Sequence, residues 1–176
     1  SLSKIKLSPK IDFAKFDLIL INMISGFDIT HEDLRVIKNN CNCGIYFDIH
    51  TLSRGLDTNG NRAFRKIPEI EKWLKNINIL QMNENEMETL FGIYSEKEIV
   101  KAVHSLGVNK VIITKGSRGI TLYDYQKQYD VESINIDSTN FVGCGDSFGA
   151  AFCYHYSLNK NLYSASKFAN LVAGII

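Results

Sequence analysis

Late in the chain, Gly143, Cys144, Gly145, Asp146, Ser147 and Phe148 follow one another immediately ahead of an apolar stretch. Two glycines allow a tight bend that leaves backbone amides uncovered, and a helix opening there adds the positive end of its dipole, so an anion is favoured at that spot. Amides that hold a phosphate, beside a carboxylate that can take a proton from an attacking hydroxyl, are the parts phosphoryl transfer needs. Asp146 is the candidate base. Two plainer readings compete: an aspartate stabilises the first turn of any helix, and glycine-rich strand-to-helix turns also bind dinucleotides. The dinucleotide fingerprint wants Gly-x-Gly-x-x-Gly, whereas Phe148 holds the third glycine position and Gly149 comes one place late. A carboxylate inside the turn would also repel a pyrophosphate but suits a general base. Cys144 would act as a nucleophile only with an activating histidine, and this segment contains none.

The elements that must position this turn alternate between strand and helix patterns. Apolar runs at residues 16–22, 44–48, 77–82 and 110–114 read as strands. Helical segments are expected from near Thr30, over 67–75 behind Pro68, over 83–91 and over 95–106. This βαβα order argues for a parallel sheet covered by helices. Residues 120–125 and 128–131 read as two short strands around a polar turn, an antiparallel edge, and residues 62–65 as part of a long polar loop. Two helices close the chain, from Asp146 to about Ser157 and from Leu162 onward.

With 176 residues, 45% of them hydrophobic, the chain suffices for one well-packed domain, here residues 1–176. Twenty Lys and Arg against nineteen Asp and Glu leave a formal net charge of +1, so bulk charge predicts neither a nucleic-acid nor a membrane partner. No apolar run approaches the roughly 20 residues that span a bilayer. Residues 1–6 also lack the apolar core of a secretory signal, and a cytoplasmic protein is expected. The cysteines at 41, 43, 144 and 153 have no zinc-ligand spacing and read as reduced thiols.

Three further constellations carry chemistry-bearing side chains. Asn83 with Glu86 three residues on follows a strand and opens a helix, which in isolation reads first as a capping box, a structure compatible with a carboxylate that also acts on a cation through water. Lys115, Gly116, Ser117, Arg118 and Gly119 form a glycine turn after a strand, which by itself reads as a plain β-turn. No P-loop sequence is present, so ATP would need a different cradle. Asp48, His50 and Arg54 lie just past the carboxyl end of a strand, where open α/β sheets form ligand sites.

The 143–148 segment resembles the second signature of the ribokinase-like, or phosphofructokinase-B-type (PfkB), carbohydrate kinases, Asp-Thr-x-Gly-Ala-Gly-Asp-Ser-Phe. Gly143, Gly145, Asp146, Ser147 and Phe148 align without a gap, with Cys144 in the place of Ala. Asn83 and Glu86 match the family's Asn-x-x-Glu, Thr114 to Gly119 its Thr-x-Gly-x-x-Gly, and Ala169 with Asn170 its Ala-Asn element. Asp48 matches the first position of Asp-x-Asn, where His50 replaces Asn and Arg54 is displaced.

The resemblance implies a three-layer α/β/α fold with a mostly parallel sheet and an antiparallel edge. It places this chain in the C-terminal portion of the family's domain, with the N-terminal part and its lid missing. The expected activity is ATP-dependent phosphorylation of a hydroxyl on a sugar or small polyol, with a homodimer as a further expectation. Asp146 would be the base and residues 143–145, Cys144 included, the anion hole. Lys115, Gly116, Gly119 and Asn170 would border the ATP, Asn83 and Glu86 would serve Mg²⁺, and Asp48, His50 and Arg54 would meet the substrate. Asn140, Phe141 and Val142 stand where the family has Asp-Thr-Thr, while Asp137, Ser138 and Thr139 lie slightly upstream, which leaves a monovalent-cation site open. A non-catalytic ligand-binding domain built on the kinase scaffold is the alternative.

Overall fold

The computed structural model of the chain describes residues 4–8, 10–56, 58–92, 95–125, 127–133 and 143–175. The apolar runs become strands β1 (Leu18–Asn22), β2 (Gly44–Asp48), β5 (Ile79–Asn83) and β6 (Lys110–Thr114). These pair in parallel in that order, and β7 (Ile120–Asp124) and β8 (Lys127–Val131) extend the sheet antiparallel from β6. The crossovers are helices α1 (His31–Asn40), α2 (Ile70–Leu74), α3 (Glu84–Phe91) and α4 (Glu96–Ser105). Capping boxes start three of them: Thr30 with Asp33, Asn83 with Glu86 and Ser95 with Glu98. Helix α2 is shorter than the 67–75 expected behind Pro68, because Glu69 stands at its N-cap with φ +53°, in the left-handed region, and provides no side-chain cap.

Strand alternation divides the core between the two faces of the sheet. Ile45, Phe47, Leu80, Met82, Val111 and Ile113 turn toward the side that also buries Leu34, Trp73 and Val103 from the crossover helices. Tyr46, Ile79 and Ile112 turn the other way, onto Phe148 and Phe152 of α5 (Cys144–Asn159) and Ala165 and Ala169 of α6 (Leu162–Ile175). The result is the three-layer α/β/α arrangement with an antiparallel edge that the sequence leads one to expect.

The 62–65 stretch corrects the expectation of a loop. Arg54–Leu56 (β3) and Arg62–Phe64 (β4) pair antiparallel as a separate two-stranded sheet. Asn59 and Gly60, with Gly60 at φ +82°, lie in the connection. No helix among the described residues is long and apolar enough to cross a membrane.

Candidate active site

The last residue of β1, the last of β2 and the third of β5 are polar, and the register sets them side by side: Asn22 pairs with Asp48 and Asp48 with Gln81. All three share the strand face that carries Leu18, Leu20, Tyr46 and Ile79, the face covered by α5. A polar row therefore crosses the carboxyl ends of three parallel strands, the usual place for a ligand site in an open α/β sheet.

The glycine turn rests on this row. Gly143 takes φ +88° at the N-cap of α5, and its carbonyl accepts the first helical bond from the Ser147 N–H at 2.9 Å. The amides of residues 144–146 have no partner within the helix and lie at its positive end. Asp146 is exposed, and Asn22 Nδ2 donates to its Oδ1 at 2.8 Å. Gln81 Nε2 donates to the Gly145 carbonyl at 3.2 Å and to Asp48 Oδ2 at 3.1 Å, while the Tyr46 hydroxyl donates to Gln81 Oε1. Helix and sheet can approach this closely because Gly149 has no side chain: a Cβ there would stand 3.3 Å from Gln81 Oε1 and 3.5 Å from Tyr46 Cε1.

Asp48 is only 3% exposed and both its oxygens are engaged, Oδ1 by the His50 backbone N–H at 2.9 Å. Burial pushes its pKa up to about 6, helped by the Glu86 and Asp146 carboxylates and opposed by that N–H and the His50 charge. Burial likewise keeps the Tyr46 phenol protonated, so it is a donor here. The structure thus puts Asp48 beneath the turn as a support. His50 Nδ1 lies 2.6 Å from Glu86 Oε1, and this hydrogen bond holds the imidazole pKa above its ordinary value. Arg54 is close enough for its charge to oppose that rise, with its guanidinium 5.0 Å from the centroid of the Phe64 ring.

Glu86 is 2% exposed, and its second oxygen accepts the Asn83 N–H at 2.8 Å while Asn83 Oδ1 accepts the Glu86 N–H at 2.9 Å. Among the described residues no cluster of three acidic, His or Cys side chains is spaced to hold a metal ion. Each side-chain oxygen of Asn83 and Glu86 already accepts one bond in the helix cap or from His50, so the part these residues could take in holding Mg²⁺ is through its bound water.

The glycine loop after β6 lies at the same end of the sheet, Thr114 being the register partner of Asn83. Gly116, at φ +56°, has open space where a Cβ would stand, whereas Gly119 combines φ +88° with a site where a Cβ would fall 2.0 Å from the Val131 carbonyl oxygen, so backbone and packing both require glycine there. Lys115 Nζ is 2.8 Å from Glu96, and Arg118 pairs with Glu84, so both cations are already neutralised. Asn170 Nδ2 donates to the Glu132 carbonyl at 2.8 Å, tying α6 to the segment after β8. Cys144, the first residue of α5, is a half-buried free thiol. Residues 137–142, on which the monovalent-cation question turns, lie outside the described residues.

The structure therefore gathers Asp48, His50, Glu86, Gly145 and Asp146 and adds Asn22, Gln81 and Tyr46, which sequence reasoning does not single out. A signal for Gln81 exists, as an uncharged polar residue within the apolar strand 77–82. Asn22 and Tyr46 become legible only through the register.

Comparison with known proteins agrees with this fold. The chain is 25% identical over 162 residues to an uncharacterized sugar kinase of Archaeoglobus fulgidus, covering 90% of this chain and 60% of that protein. It is 33% identical over 110 residues to a ribokinase of Arabidopsis thaliana, 58% of this chain and 29% of the relative. A sulfate complex of a pyrophosphate-dependent kinase in the ribokinase family superposes with a TM-score of 0.83 at 21% identity, over 99% of this chain and 61% of that one. Arabidopsis ribokinase complexed with ribose and ATP superposes with a TM-score of 0.70 at 25% identity, over 90% and 48%. The chain thus spans at most about three fifths of the length of these relatives. The model of the pfkB family carbohydrate kinases matches residues 54–176, the stretch that supplies Gln81, Glu86 and the whole turn at the head of α5, and the chain belongs to that family.

Proposed function

We propose that this chain forms the phosphoryl-transfer half of a kinase that moves the γ-phosphoryl group of ATP to a hydroxyl of a sugar or small polyol. The observation that carries the reading is Asp146, exposed at the amide-bearing end of α5 with one carboxylate oxygen held by Asn22 and the other without a partner among the described residues. In the reaction the acceptor O–H bond breaks and its proton passes to Asp146. The new alkoxide oxygen bonds to the γ-phosphorus, and the bond to ADP breaks with its electron pair on the departing phosphate. The amides of residues 144–146 stabilise the negative charge on the transferring group, and Asn22 keeps the base in line.

The loop at residues 115–119 would border the donor chiefly through backbone groups, because the cations of Lys115 and Arg118 are held by Glu96 and Glu84. Magnesium would arrive with the donor, and no step here runs through Asn83 or Glu86. Solved structures of similar proteins are complexes with ribose and ATP and with a pyrophosphate analog and myo-inositol, which supports a small polyol acceptor.

The test uses full-length protein with ATP or pyrophosphate as donor and ribose, myo-inositol or 2-dehydro-3-deoxygluconate as acceptor, phosphorylated product being read by mass spectrometry. Asp146→Asn keeps the shape and removes the base, so product formation should fall about 10²- to 10⁴-fold. Turnover equal to the parent would refute the role of Asp146. Donor binding without product from any acceptor would favour the non-catalytic domain.

A further inference from the structure

We propose that Gln81 is a positioning residue for this phosphoryl transfer: by holding the Gly145 carbonyl against the sheet, its amide aims the Asp146 N–H at the transferring phosphate. The inference deepens the reading above and rests on it.

The argument begins with the valences of the side chain. A glutamine amide has two N–H donors and one carbonyl acceptor, and here each has a partner: Asp48 Oδ2 at 3.1 Å, the Gly145 carbonyl at 3.2 Å and the Tyr46 hydroxyl. The orientation is fixed, since turning the amide over would set its NH₂ against the Tyr46 donor and its oxygen against the Asp48 carboxylate and the Gly145 carbonyl. Both Gln81 and Asp48 are 3% exposed and Tyr46 is fully buried, so water cannot easily replace a lost bond.

Peptide planarity carries this constraint to the site. The carbonyl of residue 145 and the N–H of residue 146 belong to one trans peptide and point in opposite directions. A bond that draws the Gly145 oxygen toward the sheet therefore turns the Asp146 amide away from it. Helix geometry sets this peptide only relative to the axis of α5, whereas Gln81 ties it to the strand row that also carries Asn22, which holds the Asp146 carboxylate. One row of the sheet thus orients both groups of Asp146, the side chain through Asn22 and the backbone N–H through Gln81. The absent side chain of Gly149 eases the approach, since a Cβ there would stand 3.3 Å from Gln81 Oε1, whereas one at 145, 3.6 Å from Gln81 Nε2, would make ordinary contact.

The experiment compares full-length wild type, Gln81→Met, Tyr46→Phe and the double variant, with Asp146→Asn as control, using the donors and acceptors named above. Gln81→Met keeps length and apolar volume but loses all three bonds, and kcat should fall about 10- to 100-fold while KM for the acceptor changes less than about threefold. Tyr46→Phe frees only the amide orientation, so its kcat should fall less, and the double variant should be no slower than Gln81→Met. In ¹⁵N-labelled protein, sodium pyrophosphate should shift the Asp146 amide resonance of wild type, and Gln81→Met should lose at least half of that shift.

An unchanged kcat together with an unchanged pyrophosphate response in a folded Gln81→Met protein overturns the proposal. If that protein does not fold, the same result in Tyr46→Phe overturns it, and so does a wild-type Asp146 amide that ignores pyrophosphate. Wild-type protein that binds donor but phosphorylates no acceptor defeats the kinase reading instead, and turnover retained by Asp146→Asn defeats the role of Asp146, which keeps the failures apart.

Discussion

Acidification should stabilise this fold through Asp48, and the size of the effect follows from its burial. The carboxyl is raised from 3.8 to about 6 because the folded protein removes it from water beside Glu86 and Asp146. Between those values the native state holds a proton that the unfolded chain has released, so stability falls as pH rises through the window. A separation of about two on the pH scale corresponds to about 3 kcal/mol, of which about 2 kcal/mol is regained by pH 4.5. The measurement is urea unfolding of the full-length protein and of Asp48→Asn at about pH 7.5, 6 and 4.5. Asparagine places an NH₂ against either the His50 N–H or Gln81, a penalty that does not titrate, and groups far from Asp48 behave alike in both proteins. The stability difference between the two proteins should therefore move by about 2 kcal/mol in favour of wild type on acidification. A difference that stays flat across the range would show that Asp48 is hydrated and ionises like a free carboxyl, and the account of the polar row would fail with it.

Other perturbations separate support from chemistry. Asn22→Leu removes the donor to Asp146 Oδ1 and should lower kcat about tenfold, the equivalent of one charge-assisted hydrogen bond at about 1.5 kcal/mol, with a thermal midpoint close to wild type. Glu86→Gln must turn an NH₂ toward either His50 or the Asn83 N–H, costing about 1–3 kcal/mol in chemical denaturation. The same variant should lower the His50 pKa seen by NMR titration, because the hydrogen bond that raises it is weakened. His50 contributes stability that is present below the unfolded imidazole pKa and lost as pH rises through the folded one, and Glu86→Gln should flatten that loss. Gly119→Ala combines φ +88° with a Cβ 2.0 Å from the Val131 oxygen and should cost more than about 2 kcal/mol, read as a lowered thermal midpoint.

Much of the architecture can be read from local pattern because each element carries its own signal. The strands at 44–48 and 110–114 appear at the expected residues, being apolar runs of five between polar turns. The helix starts at Thr30, Asn83 and Ser95 announce themselves by capping boxes. The β3–β4 hairpin escapes because three-residue arms are too short to show a period, although Asn59 and Gly60 carry the turn signal. Asp146 and its glycines are legible because a helix start is a local event. Their supports are not: Asn22 and Asp146 are 124 residues apart and Gln81 and Gly145 are 64 apart. Which strand face a polar residue shares, and with which neighbour, depends on a register that only the assembled sheet fixes.

Helix α5 brings Asp146 and the amides of its first turn, and it also brings the apolar cover for Tyr46, Ile79 and Ile112. Until it docks, one side of the sheet stands bare, and Phe148 and Phe152, the latter costing about 3–5 kcal/mol if cut back to alanine, have nowhere to bury. The glycine turn and the cover of that face are consequently put in place in the same event. During synthesis on the ribosome a chain that has emerged only as far as β8 exposes a greasy surface that chaperones and proteases recognise.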